Sequence, residues 1–327
     1  MNIKDTPFVS VVIATYNRSR YAAQCVASVL ANKYDAFEVI IVDQSSNQDT
    51  QREVEKLDQD NVRVCYAHSD VVGVSNARNR GVALARGDIV AFIDDDAIAT
   101  PGWIAAYARA FRELKPQPGM VGGKIDPLYE TPRPKWYPSE REFLLGIYNI
   151  GDELQPFPPG DLPISANFAV QKSVIDSVGD FDARIGFNNK YSHSLITGED
   201  SLLALKIKEQ GYPIYYQPDA RVLHIVRKSK LSKKFFLKRH FWEGATIVAV
   251  RDTQHSCVPG TLRGNIRWHV ARISYELFLL MRAIAMPKGQ RAPEAMLRFA
   301  ELSLSAGVIY WSSRLLVNRW TGQHRCS

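Results

Sequence analysis

Cysteine is scarce and scattered. The chain of 327 residues has four, Cys25, Cys65, Cys257 and Cys326, and no two form a Cys-x-x-Cys pair. This argues against both a disulfide framework and a zinc site. No Gly-x-x-x-x-Gly-Lys-Ser/Thr stretch is present, so a P-loop nucleotidase is disfavoured. No Gly-x-Gly-x-x-Gly follows the first apolar run, so a dinucleotide dehydrogenase is disfavoured. The two long apolar runs near the C-terminus are broken by Glu276, Arg282, Glu301 and Arg314. Neither reaches the roughly 18 uncharged apolar residues of a membrane span. Met1 to Phe8 lacks a basic stretch leading into an apolar core, so the expectation is a chain without a secretory leader in a reducing, cytoplasmic setting. No internal repeat is visible.

What is present begins with an ordinary globular composition, 46% hydrophobic and 23% charged. The net charge of +7 conceals an asymmetry. Residues 1–220 hold 22 Lys and Arg against 29 Asp and Glu, whereas residues 221–327 hold 19 against 5. A basic C-terminal third points to an anionic surface such as nucleic acid or membrane. Between Arg227 and Trp242 the cations Lys228, Lys230, Lys233, Lys234, Lys238 and Arg239 interleave with Leu231, Phe235, Phe236, Leu237 and Phe241. A helix with one basic and one aromatic face fits an interfacial segment, here on the inner face of the cell membrane. The plain alternative is a solvated face. Two further amphipathic helices are predicted over 266–286 and 293–316.

Apolar runs at 8–14, 37–42, 62–67 and from Ile89 alternate with helical patterns at 20–31, near 50–57 and at 75–85. Strand alternating with helix specifies an α/β protein with a doubly wound, mainly parallel sheet flanked by helices. Parallel strands end on one side, so Thr15-Tyr16-Asn17, Asp43 and Asp94-Asp95-Asp96 should converge at one edge, where ligands of such sheets bind. Ile89 to Ile93 is wholly apolar, as in a strand buried on both faces. If the strand runs on through its three aspartates, Asp94 and Asp96 share a face and Asp95 points away. Two carboxylates on one side suit Mg²⁺ or Mn²⁺. Further on, a helix is expected from Trp103 to Leu114 and strands at 120–125, 164–170, 214–217 and 222–226. Residues 126–163 are rich in proline and aromatics, and 188–196 are polar and small.

The chain resembles the family 2 glycosyltransferases. The resemblance rests on Val-Ser-Val-Val-Ile-Ala-Thr-Tyr-Asn-Arg (9–18), Val-Ile-Ile-Val-Asp-Gln-Ser-Ser (39–46), Gly-Val-Ser-Asn-Ala-Arg-Asn-Arg-Gly (73–81), Phe-Ile-Asp-Asp-Asp (92–96), Val-Gly-Asp-Phe-Asp (178–182) and Gly-Glu-Asp (198–200). It covers residues 8–226. It implies the GT-A fold and inverting sugar transfer from a UDP-, GDP- or dTDP-sugar to a glycan or lipid-linked acceptor. It implies a domain at 1–226, nucleotide-binding over 1–100 and acceptor-binding over 101–226, followed by a basic helical extension at 227–327. Thr15, Tyr16, Asn17, Asp43, Arg78, Asp94 and Asp95 would then meet the nucleotide. Asp94, Asp96 and His224 would hold the metal, and Asp200 would be the general base. Trp136, Asn167 and Glu199 are the candidate acceptor contacts. Two departures stand out: Ala97 replaces a common third acidic residue, and Gln44-Ser45-Ser46 replaces an acidic, glycine-rich form.

The chemistry asks for these residue types. Departure of a nucleoside diphosphate develops negative charge that a divalent cation neutralises. The attacking hydroxyl must lose a proton, and a carboxylate in reach can take it. Asp200 opens a predicted helix, whose positive end favours the ionised carboxylate. Structural alternatives stand beside these roles: a cap for Asp43, a helix N-cap for Glu199-Asp200, core packing for His224 and Trp136, and a surface ion pair for Arg78. The competing functions are a nucleotidyltransferase, for which Thr15-Tyr16-Asn17-Arg18 lacks the glycine-rich basic form, and a non-catalytic nucleotide binder anchored by its basic tail. Nucleic acid is not an expected partner.

Overall fold

The protein is described by a computed structural model covering residues 6–58, 63–186, 195–254 and 259–321. It divides into two compact units. The first comprises Met1–Leu128, Gly146–Lys190 and Glu199–Ile225, the second Tyr129–Leu145, Tyr191–Gly198 and Val226–Ser327.

The first unit is an α/β sheet. Strands β1 (Val9–Thr15), β2 (Phe37–Asp43), β3 (Val64–His68) and β4 (Ile89–Ile93) run parallel in the order β3-β2-β1-β4. Helices α1 (Ser19–Leu30), α2 (Asp49–Glu55) and α3 (Val74–Leu84) make the crossovers. Side chains alternate across a strand, so one strand feeds two cores. Val9, Val11 and Ile13 pack with Ala22, Cys25, Val26 and Val29 of α1, while Val12 packs with Ala77 and Val82 of α3. This is why β4 reads as an unbroken apolar run and why β1 and β2 are interrupted only by Ser10 and Glu38, which bond to each other at 2.7 Å.

Beyond β4 the parallel pattern ends. After a short turn come β5 (Ala97–Ala99), α4 (Trp103–Glu113), β6 (Met120–Tyr129), β7 (Gln155–Pro156), β8 (Asn167–Gln171), α5 (Lys172–Val178), α6 (Glu199–Glu209) and β9 (Ile214–Val226). The sheet continues β4-β8-β6-β9-β5, with β7 also on β9. The β4–β8, β6–β8, β5–β9 and β7–β9 pairs are antiparallel. The expectation of parallel strands holds for the four strands whose crossover helices were legible; the other half makes the sheet mixed. The two short strands expected at 214–217 and 222–226 are one strand of 13 residues. Between the two expected strands the Gln217 side chain accepts the Asp219 N–H at 3.1 Å.

Asn167 ties this half together. Its amide donates to the carbonyls of Lys124 (3.0 Å) and Ala220 (2.7 Å), and its oxygen accepts from Trp103 Nε1 (2.7 Å) and Tyr107 Oη (2.6 Å). It is fully buried, with donors and acceptor all spent. It is therefore a core residue and not an acceptor contact.

The second unit is helical: α7 (Lys233–Thr253), α8 (Pro259–Ile284) and α9 (Lys288–Trp320), with α9 packed against both others. The aromatic face of α7 is internal. Phe236 is buried against Trp136 and Tyr137, and Trp242 meets Tyr310 and Trp311 of α9. The interfacial reading of 227–242 is corrected accordingly: Phe236, Phe241 and Trp242 are packing, and the exposed residues are Lys228, Ser229, Ser232, Lys233, Lys234 and Lys238. None of the described helices is long and apolar enough to cross a membrane.

A Cβ on Gly123 of β6 would collide with the Ala220 carbonyl and the Asn167 amide. Backbone cannot yield as a side chain can, so Gly123→Ala should lower unfolding free energy by about 3 kcal/mol. A urea denaturation midpoint measures it.

Candidate active site

The β4 strand stops at Ile93, and Asp94-Asp95-Asp96 form a turn closed by the Ala97 N–H on the Asp94 carbonyl (3.0 Å). The expected division of the three aspartates is present, but the turn produces it, not strand alternation. Asp94 and Asp96 converge with His224 so that one ligating atom of each lies within 4.8 Å of the others. Asp95 turns away to accept from Thr15 Oγ1 (2.8 Å) and Arg18 (2.9 Å). Burial pushes its carboxyl up to about 6, with Arg18 opposing.

His224 arrives by backbone pairing. In the antiparallel β5–β9 ladder Ala97 lies opposite His224, and the Ile225 N–H donates to the Asp96 carbonyl (2.8 Å). Its Nε2 sits 3.1 Å from Asp96 Oδ1, while its buried Nδ1 has no hydrogen-bond partner. A Cβ at Gly146 would lie 3.0 Å from the ring, so glycine leaves the imidazole its place. Two carboxylates and an imidazole, close and mostly buried, fit a divalent cation of the Mg²⁺ or Mn²⁺ type.

Arg78 binds this cluster to the start of α6. One amino group donates to Asp94 (3.0 Å) and the other to Glu199 (2.6 Å). Burial opposes its charge, but Glu199 and Asp94 outweigh that and hold its pKa above the usual value. Only 3% of Arg78 is exposed, so the surface ion pair is excluded and its guanidinium is spent on carboxylates. Glu199 is likewise buried, with Oε1 on Arg78 and Oε2 unpaired, so it is a partner of Arg78 and not an exposed acceptor contact.

Asp200 follows. Its carboxylate accepts the Ser165 N–H and its own neighbour Ser201 N–H, both at 2.7 Å. Burial, reinforced by Glu199, raises it to about 7; Arg78 and the two N–H donors oppose. The expectation that the helix end keeps it readily ionised is corrected, because desolvation outweighs the helix end.

The loops at the strand ends are stitched together. The Gln44 N–H donates to the Thr15 carbonyl (3.0 Å), and the Asn17 N–H to Ser45 Oγ (2.7 Å). Asn17 takes a left-handed φ of 55°, which asparagine tolerates. Asp43 accepts from Ser45 N–H (2.9 Å) and Tyr66 Oη (2.9 Å), and Tyr16 stays exposed. The unusual Gln44 has a local purpose: its amide donates to the Gly73 carbonyl and accepts the Gly73 N–H, both at 3.1 Å. Trp136 lies in the second unit, against Tyr137 and Phe236. Most of the polar 188–196 segment lies outside the described residues. Sequence reasoning gave no role to Arg18, which also lies 3.5 Å from Asp96; its only signal was a cation directly after Thr15-Tyr16-Asn17.

Residues 10–179, just over half of the chain, match the model of glycosyl transferase family 2. The chain belongs to that family. The glucosyl-dolichyl phosphate glucuronosyltransferase of Haloferax volcanii is 28% identical over 241 residues, spanning 72% of this chain and 75% of that protein. Among solved structures, the mannosyltransferase PcManGT from Pyrobaculum calidifontis, in complex with GDP-Man and Mn²⁺, matches with a TM-score of 0.53. The identity is 16%, over 99% of this chain and 82% of that one. GalNAc-T7 with UDP, GalNAc and Mn²⁺ matches with a TM-score of 0.52 and 15% identity, over 73% of this chain and 51% of that one. The fold of this glycosyltransferase is accordingly GT-A.

Removing Arg78 leaves the buried Glu199 without its cation and unpairs the partly exposed Asp94. Arg78→Ala in this family 2 enzyme should cost about 3–5 kcal/mol of stability, read from chemical denaturation.

Proposed function

We propose that this glycosyltransferase moves a sugar, with inversion, from a nucleoside-diphosphate sugar to an acceptor hydroxyl, using Asp200 as base. Thr15, Tyr16, Asn17 and Asp43 would receive the nucleoside of a UDP-, GDP- or dTDP-sugar. A Mg²⁺ or Mn²⁺ held by Asp94, Asp96 and His224 would neutralise charge on the departing diphosphate. Asp95 fixes Thr15 and Arg18 beside that site.

The observation that carries this reading is the Arg78 bridge. It links a diphosphate-side carboxylate, Asp94, to Glu199, the neighbour of Asp200, within one compact unit. A nucleotide binder without chemistry has no need of a second buried carboxylate tied to the first. Asp200 near pKa 7 is suited to take a proton at neutral pH, because a base works best when its pKa lies near the operating pH. One displacement at the anomeric carbon, with the hydroxyl proton passing to Asp200, inverts the centre.

The acceptor in this reading is a glycan or a lipid-linked sugar at the inner face of an anionic membrane. The haloarchaeal relative is named for glucosyl-dolichyl phosphate, a lipid-linked sugar. The excess of cations in residues 221–327 supports an anionic surroundings for that reaction.

A panel of UDP-, GDP- and dTDP-sugars, incubated with and without Mn²⁺, tests the reading. Turnover of one donor should vanish with chelator and return with metal. No turnover with any donor and no metal-dependent nucleotide binding would sink it. Asp200→Asn should lower transfer by about 10²–10⁴-fold while nucleotide binding persists.

The pH profile follows from the same carboxylate. The base form is the ionised form, so the rate should rise with pH through about 7 and fall on the acid side. A pH-independent rate between 5 and 9, on the order of two units to either side of that value, would move the base elsewhere.

A further inference from the structure

In the second unit, α8 is polar inside and apolar outside. Toward α9 it presents Arg272, which bonds Glu276 and Glu301, and Glu276, which also accepts from Arg298 of α9 (3.3 Å). His269 Nδ1 lies 3.0 Å from the buried Ser305 hydroxyl in the same seam. The opposite face carries Tyr275, Phe278 and Met281, which are 51 to 64% exposed, while the exposed Trp268 borders the seam, its ring 5.2 Å from the Arg272 guanidinium. A surface helix of a soluble protein has the reverse arrangement.

The charges on that outer face have one sign. Arg263, Arg267 and Arg282 are exposed among the apolar residues, and the one carboxylate of α8, Glu276, is buried in the seam. This decides between the two occupants an apolar face can have. A second copy would press arginines against arginines with no carboxylate on the face to receive them. An anionic lipid surface supplies phosphates for the arginines and a hydrocarbon boundary for the rings, with Trp and Tyr at the level they favour. Crossing the bilayer is excluded for α8, because neither its length of apolar sequence nor its ion-paired inner face allows it.

We propose that the outer face of α8 docks on an anionic bilayer, with the helix lying in the headgroup plane. This rests on the membrane part of the function proposed above and on no catalytic step. Phe278 and Met281 enter the acyl boundary with Tyr275 beside them, and Arg263, Arg267 and Arg282 stay at the phosphates.

Flotation of the full chain tests this, with vesicles of phosphatidylcholine alone and of phosphatidylcholine mixed with phosphatidylglycerol. The chain should float with the mixed vesicles and weaken as salt rises. Phe278→Ser with Met281→Ser should weaken binding by about 10²-fold. Replacing Arg263, Arg267 and Arg282 by Gln should weaken it about fivefold per charge. These side chains are exposed, so the variants should keep the parent thermal transition by circular dichroism. No flotation of the parent chain with mixed vesicles would overturn the proposal. Equal flotation of parent and double variant would too. A dimer abolished by the same two substitutions, without vesicle binding, would assign the face to a second copy. Flotation uses no donor, so its failure leaves the transferase reading standing. Failure of the donor panel likewise leaves the flotation result standing.

Discussion

A guanidinium with almost no water around it needs carboxylates, and Arg78 has two. Asp94 comes from the turn after β4 and Glu199 from the first residue of α6, more than a hundred residues apart in the chain. The start of α6 could not hold the buried Glu199 without that cation, since an unpaired buried charge is costly. The remaining geometry follows from this closure. It sets where α6 begins and leaves Asp200 next in line, in a site dry enough to lift its carboxyl to about 7. It also holds the Asp94 side of the acid cluster, while Arg18 holds the Asp95 and Asp96 side.

The parallel half of the fold was legible because its signals are local. Mainly apolar runs ending in polar clusters give β1 to β4, and the place of Asp94 and Asp96 at a strand end follows from the same pattern. The other half was not legible, for physical reasons. Pairing of β8 with β4 and of β5 with β9 depends on contacts far apart in sequence, which periodicity does not carry. Asn167 looked like a free polar group because nothing local shows that four partners surround it. Glu199 looked available because the cation that occupies it lies on α3. The basic-aromatic stretch at 227–242 has the expected amphipathicity but a different exposure: Trp136 and Tyr137 meet Phe236, and α9 meets Phe241 and Trp242. Arg18 was passed over because a single cation in a loop has no pattern to stand out from.

The two units manage charge in opposite ways. The sheet unit brings charges inward where chemistry needs them and pairs nearly all of them. The helical unit brings charges inward at the α8–α9 seam, where Arg272, Glu276, Arg298 and Glu301 form a connected set that Arg141 and Glu294 extend, and turns apolar residues outward. A seam of ion pairs contributes little net stability compared with an apolar one. Its effect is to fix which faces of the two helices meet, and so which face of α8 is left outside.

The β5–β9 ladder bears on how the enzyme turns over. Ala97 starts β5 one residue after Asp96 and sits opposite His224. The acid turn and the histidine are thus stapled to each other by main-chain bonds, not by anything that arrives and leaves. In the reaction proposed above, loading and release of the nucleotide would leave this frame assembled from one round to the next.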